Sequence, residues 1–229
     1  MEPAFRESRG ATEHAHRYKS TRSRRRPQTT SNRFRSDAPV LPLPKLQLIT
    51  CGVHDAGLEG YDGDALRNGL DAFVSYFVEG KPMIHIDARE FRDPSHDLRY
   101  HNGMHPEIIA RMVAHQHFPH WLANVHHEFV TVLSEWGSRH AAQPTMSVII
   151  YCRSGRHRAV AASEILKHVA AHVVGLECLP TVHCSLDERT CRCQSCVPNR
   201  PNCRSVTESM MKAIDIWNLL EIEQWQQWR

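Results

Sequence analysis

The chain has 229 residues, 41% of them hydrophobic and 7% aromatic, which suffices for one core but not for two large domains. Its 11 glycines follow no period, excluding a collagen-like fibre, and no run reaches the roughly 18–20 apolar residues of a membrane-spanning helix. The net charge of +3 is uneven: residues 1–37 carry ten Lys and Arg against four acids, and the remainder is mildly acidic.

Residues 1–44 read as a disordered Arg/Ser-rich tail, because so few aliphatic side chains cannot offset the entropy of ordering. Its Ser23–Arg24–Arg25–Arg26–Pro27 run suits an RNA contact or a nuclear signal. An Arg- and Ser-rich leader also resembles an organelle transit peptide, although Glu2, Glu7 and Glu13 come early. No secretory signal is expected, since no apolar stretch follows the charges. The expected location is cytoplasmic or nuclear, with organelle import left open. Ala38–Lys45 is a Pro-spaced extended lead-in.

Residues 45–229 read as one α/β domain. Lys45–Cys51 is an apolar run closed by Gly52, a strand signal. Leu66, Leu70, Phe73, Val74 and Phe77 stand at helical spacing within Asp64–Glu79. Pro82–Asp87 is a second strand, Pro106–His117 a helix with Pro in its first turn, and Trp121–Arg139 a longer amphipathic helix. Thr145–Tyr151 is the most apolar run and must be a buried central strand. A helix over Arg156–Val173 follows, then a strand over Leu176–His183 that Pro180 demotes toward an edge. A Cys-rich insert spans 184–203, and residues 205–228 form a closing helix with Met210, Met211, Ile214, Trp217, Leu220 and Ile222 along it. Strands alternating with helices predict a layered, mostly parallel sheet flanked by helices.

The strongest chemical signal is the loop Cys152–Arg153–Ser154–Gly155–Arg156–His157–Arg158, set between the most apolar strand and a helix. Ligands of open α/β sheets bind at the carboxyl ends of strands, and a helix N-terminus aims backbone N–H groups at an anion. Gly155 permits close approach, and the arginines match phosphate oxygens. This predicts a phosphate-binding loop. The spacing also fits C-x-x-G-x-x-R of cysteine phosphatases, with Cys152 as thiolate nucleophile and Arg158 as its phosphate ligand. The general acid would then be Asp87 or Asp93. Tyr151 and Ala159 stand where those enzymes usually carry His and Ser or Thr.

The sequence Cys152–Glu164 more closely resembles C-x-G-G-[KQ]-H-R-S-V of the RapZ C-terminal domain family. Ile86–Pro94 is similar to its D-A-R-F-L-P-N-P segment, Arg99–Glu107 to R-P-x-T-G-L-D-x-x-V, Thr50–Gly57 to F-G-[FY]-K-x-G, and Val182–His183 to the V-x-x-x-H-R-x-L near its end. These ordered blocks span about residues 46–187. The resemblance implies a binding module for a phosphorylated small molecule such as an amino-sugar phosphate, in a regulatory role, with RNA as a further partner. It also implies a second wall for the anion site made by Asp87, Arg89 and His96. Arg89 serves equally well as a partner of Asp87 that only fixes the loop. The chain departs from the family in lacking any G-x-x-x-x-G-K-[ST] motif, so ATP or GTP binding does not carry over, and the expected ligand at the loop is a phosphosugar or a nucleotide-like anion. Ser154 replaces the second loop glycine, Arg153 adds charge, and the basic C-terminal end gives way to the Cys-rich insert and a Trp-rich helix. An RNA-binding adaptor led by the tail, and a homo-oligomer, remain alternatives.

Of eight cysteines, six fall between 178 and 203. Cys191, Cys193, Cys196 and Cys203 supply four soft ligands at short spacing, a zinc signal, with His183 and Cys184 as alternative ligands. The 17 histidines are otherwise expected to be mostly solvated.

Overall fold

The structure, a computed structural model, describes residues 43–227 except 95, 140–143, 187–190, 192 and 197–202. Residues 1–42 of the expected tail, and parts of the 184–203 insert, lie outside the described residues. Four apolar runs form β1 (Lys45–Gly52), β2 (Ile84–Asp87), β3 (Thr145–Cys152) and β4 (Val182–His183). They make one parallel sheet in the order β2-β3-β1-β4. β1 and β3 pair along their whole length, from Lys45 opposite Thr145 to Gly52 opposite Cys152. Both are central and covered on two faces, which is why they read as near-continuous apolar runs.

Five helices cover the sheet: α1 (Gly63–Val74), α2 (Pro106–Val113), α3 (Phe118–Arg139), α4 (Arg158–Val169) and α5 (Arg204–Gln227). α1 lies on one face, where Leu66, Leu70 and Val74 pack on Ile49, Cys51, Ile149 and Tyr151. The other helices share the opposite face, with Ile109, Leu122, Phe129, Leu166 and Trp217 in one core with Leu48, Val148 and Ile150. Alternate residues of β3 therefore serve different layers. The chain leaves β1 over α1's face toward β2, and leaves β3 over α4's face toward β4. The exits diverge, so the carboxyl ends of β1 and β3 form the topological switch point. No helix among the described residues is long and apolar enough to cross a membrane.

Several boundaries differ from the sequence reading for local reasons. The strand expected over Leu176–His183 shrinks to two residues, because Pro180 has no N–H for the ladder. Leu46 holds the chain before the gap through Leu46 N to Glu177 O at 2.8 Å and Leu179 N to Leu46 O at 2.9 Å. The Gln47 side chain then donates to Pro180 O at 2.7 Å. α1 stops at Val74, where the Ser75 hydroxyl donates back to Ala72 O at 2.7 Å, and Phe77 is exposed rather than buried. α4 starts at Arg158, since Arg156 and His157 belong to the turn before it. Along α5, Met210, Ala213 and Trp217 are buried, whereas Met211 and Ile222 face solvent. His126, expected to be solvated, is buried with its ring 4.7 Å from that of Trp217.

Trp217 fills the space between α3 and α5, with Phe129 edge-on at 5.9 Å. Trp217→Ala should lower the unfolding free energy by about 3–5 kcal/mol, read as a shift of the urea midpoint. A second prediction concerns the β1–β4 edge, where Thr50 Oγ1 lies 2.7 Å from His183 Nδ1. Burial, helped by the Lys167 charge, holds His183 down at about 4. The unfolded chain, with His near 6.5, then binds this proton more readily than the folded one. The stability gained from a neutral His183 is complete above the unfolded value and declines as pH falls toward 4. His183→Gln should flatten the fall in melting temperature over that window.

Candidate functional site

The turn Arg153–His157 joins the end of β3 to α4 at the switch point. Gly155 has φ 67°, a left-handed conformation that favours glycine, and is packed without room for a side chain. A Cβ there would lie 2.5 Å from Ser185 Cβ and 2.6 Å from Gly52 N. Gly52 is constrained in the same way, since its Cβ would meet the Ser154 carbonyl carbon at 2.6 Å. Two backbone hydrogen bonds of 3.0 Å, Val53 N to Cys152 O and His54 N to Arg153 O, strap the exit of β1 to the loop. The Ser185 hydroxyl accepts from Gly52 N at 2.9 Å. α4 opens with no side-chain cap at His157, and its first helical bond runs from Ala161 N to His157 O, 2.8 Å. The N–H groups before it have no helical acceptor, and the positive end of the helix dipole points toward the loop.

The three loop arginines occupy different environments. Arg153 is exposed and stands 3.6 Å from Glu59. Arg156 Nε and Arg158 Nε are buried without a hydrogen-bond partner among the described residues. Arg158 is only 8% exposed. Its guanidinium donates to Arg89 O at 3.0 Å and Phe91 O at 2.9 Å, and pairs with Asp93 at 2.8 Å. It thereby ties the first turn of α4 to the segment leaving β2. His157 is buried, donates from Nε2 to His101 O at 2.8 Å, and is held below its ordinary value, chiefly by burial. Ser154 is half-buried.

Asp87 and Arg89, the residues expected to form a second wall, stand at the end of β2 and just beyond it and pair with each other. The Asp87 carboxylate accepts from the Arg89 backbone N at 2.8 Å and from its guanidinium at 2.6–3.0 Å. That guanidinium lies 5.3 Å from the Tyr151 ring centroid. Burial, followed by the Asp87 charge, pushes the Tyr151 hydroxyl up to about 12. Asp87 and Arg89 are thus each other's partner, and Arg158 joins their segment to the loop. His96 is exposed in the following turn. Cys152 is fully buried and belongs to the main core under the loop. Of the candidate acids for a phosphatase, Asp93 is paired with Arg158 and Asp87 with Arg89.

The Cys-rich segment makes a second constellation. Cys191, Cys193, Cys196 and His101 place their ligand atoms within 4.8 Å of one another. His101 Nδ1 lies 3.3 Å from Cys191 Sγ and 3.4 Å from Cys193 Sγ and Cys196 Sγ. Tetrahedral zinc ligands at ~2.0–2.3 Å from the metal stand roughly 3.5–3.8 Å apart, so the group fits a metal with little adjustment. Cys203 stands outside it, its Sγ 3.1 Å from Ser205 Oγ. Cys184 sits on the β1 edge, its N donating to Thr50 O at 2.8 Å, and His183 pairs with Thr50 there. The sequence reading missed His101, because ninety residues separate it from the first of these cysteines.

Arg158→Ala should strip α4 of its tie to the Arg89–Asp93 segment and leave two carbonyls and a carboxylate without their donor. A loss on the order of 3 kcal/mol is expected by chemical denaturation. Arg158→Lys should recover only part of it, since an ammonium cannot reproduce the planar fork.

No curated protein and no solved structure gives a significant match to the chain. Residues 72–181 match the family model described as the RapZ C-terminal domain. The matched span runs from within α1 through β2, the Asp87–Asp93 segment, β3, the arginine loop and α4. It includes His101 and ends before the cysteines that face it. The arginine-rich turn and the Asp87–Asp93 segment both lie in this span, and through residues 72–181 the chain is similar to the RapZ C-terminal domain family.

Proposed function

We propose that this domain is a binding module for a small phosphorylated molecule of the phosphosugar class, seated at the Cys152–Arg158 loop. The observation that carries the reading is the pair of buried guanidinium nitrogens, Arg156 Nε and Arg158 Nε, without acceptors among the described residues, beside a helix N-terminus that has no side-chain cap. A buried donor without an acceptor is costly, and phosphate oxygens supply acceptors that also suit the helix dipole. In RapZ this domain family binds glucosamine 6-phosphate, which makes that compound the natural first probe.

Binding is favoured over phosphatase chemistry by Cys152. A nucleophilic thiolate must meet the substrate phosphorus, and this side chain is enclosed in the apolar core. We also propose that His101, Cys191, Cys193 and Cys196 hold a structural Zn²⁺.

Calorimetric titration should show binding of glucosamine 6-phosphate and none of unphosphorylated glucosamine. Arg156→Ala should weaken the former by about tenfold or more. Equal affinity of the variant, or equal binding of the two sugars, would remove the loop from consideration as the phosphate site. Hydrolysis of an aryl phosphate that disappears in Cys152→Ser would replace the binding module by an enzyme. Metal analysis of chelator-free protein should find about one zinc per chain, lost in Cys193→Ser.

A further inference from the structure

We propose that the His101–Cys191–Cys193–Cys196 group is a metal-dependent buttress of the anion loop, so that Zn²⁺ binding sets the affinity for phosphate some residues away. The proposal rests on both readings above and adds the connection between them.

Hydrogen bonding alone does not account for the group. A neutral imidazole nitrogen offers either one lone pair or one proton, yet His101 Nδ1 faces three sulfurs at 3.3–3.4 Å. One such contact is a hydrogen bond; the other two need a different cause. A metal at the centre of the tetrahedron accounts for all of them with thiolate ligands. The surrounding turn has the required form, with Cys193 N donating to Cys191 Sγ at 3.3 Å and Cys196 N to Cys193 O at 3.0 Å.

The three-residue segment that meets the cysteines through His101 and Asn102 also presses on the loop through His101 and Gly103. His101 offers Nδ1 to the group and its carbonyl oxygen to His157 Nε2 at 2.8 Å, and His157 immediately precedes α4. Asn102, buried, donates to Cys196 O at 3.2 Å and accepts from Met104 N at 2.9 Å. Gly103 N donates to Arg156 O at 2.9 Å. There is no slack in this contact: a Cβ on Gly103 would lie 2.1 Å from His157 O and 2.4 Å from Ala161 N. The segment 101–103 therefore has the metal ligands on one side and the backbone of Arg156, His157 and Ala161 on the other. Ligation of Nδ1 also places the ring proton at Nε2 of His101, which fixes its tautomer. Among the described residues, Cys191–Cys196 contributes one short turn and no regular strand or α-helix, so ligation would add to the Asn102–Cys196 hydrogen bond in holding it against His101. When the metal leaves, the segment loses its outer support, and the loop loses the wall that orients Arg156 and His157.

The test compares full-length protein loaded with Zn²⁺, stripped by chelator, and reloaded. The probes are glucosamine 6-phosphate and inorganic phosphate in calorimetry, together with amide hydrogen exchange over residues 153–161. Stripping should weaken phosphate binding by about tenfold, within the range of coupled sites, and speed exchange in the loop and the first turn of α4. Reloading should restore both. His157→Phe, which cuts the link and leaves the metal ligands in place, should retain zinc, bind phosphate as weakly as the stripped protein, and no longer respond to stripping. Circular dichroism of each form separates this from global unfolding. Equal phosphate affinity and equal loop exchange with and without Zn²⁺ would overturn the buttress while leaving the anion site intact. Loaded protein that binds neither probe would reject the anion reading, and the buttress as a regulator of it. Protein that takes up no Zn²⁺ would reject the metal, and the buttress with it.

Discussion

The buried guanidinium of Arg158 is the joint on which the carboxyl end of this sheet depends. It grows from the first turn of α4, yet its hydrogen bonds go to Arg89 O, Phe91 O and Asp93 in the segment leaving β2. The tie adds to the β2–β3 ladder, which ends at Asp87 opposite Tyr151. A lysine could neutralise Asp93 but could not reach two carbonyls and a carboxylate from one plane. The tie leaves Nε without a partner among the described residues, so a single side chain braces the loop and keeps a donor beside the helix N-terminus.

Close backbone approach supplies the second constraint. Gly52, Gly155 and Gly103 each stand where a Cβ would fall under 3.0 Å from neighbouring backbone or side-chain atoms. Gly52 and Gly155 let the end of β1 lie against the loop, and Gly103 lets the segment that carries His101 lie against α4. With Arg158 behind it, the loop is held from three sides by parts of the chain that are distant in sequence. Such over-determination would suit the anion site proposed for the loop, whose donors would then need no reorganisation on binding.

The neighbouring Cys/His group continues that logic. A short turn among cysteines has no core of its own, and a metal held by these soft ligands and His101, as proposed, would give it one. Its contacts pass through His101, Asn102 and Gly103 to the backbone of the loop, so two features that look unrelated along the chain meet through one three-residue segment.

The sequence by itself determined the layers of this protein and the position of its arginine-rich turn. Apolar runs of strand length alternating with helical spacing require a parallel sheet covered on both faces, and the arginine-rich turn after the most apolar strand lies at the carboxyl end of that sheet. These are local properties, written in periodicity and in neighbouring residues. Only the tertiary structure decided which arginines face solvent. Arg153 and Arg158 look alike in sequence, but one pairs at the surface with Glu59 and the other is buried as a brace. Asp87 and Arg89 turn toward each other, Cys152 enters the core, and His101 joins Cys191, Cys193 and Cys196. No periodicity encodes such pairings. The pairings between distant residues depend on the β2-β3-β1-β4 order, which brings the ends of β1, β2 and β3 side by side although up to a hundred residues of chain separate them.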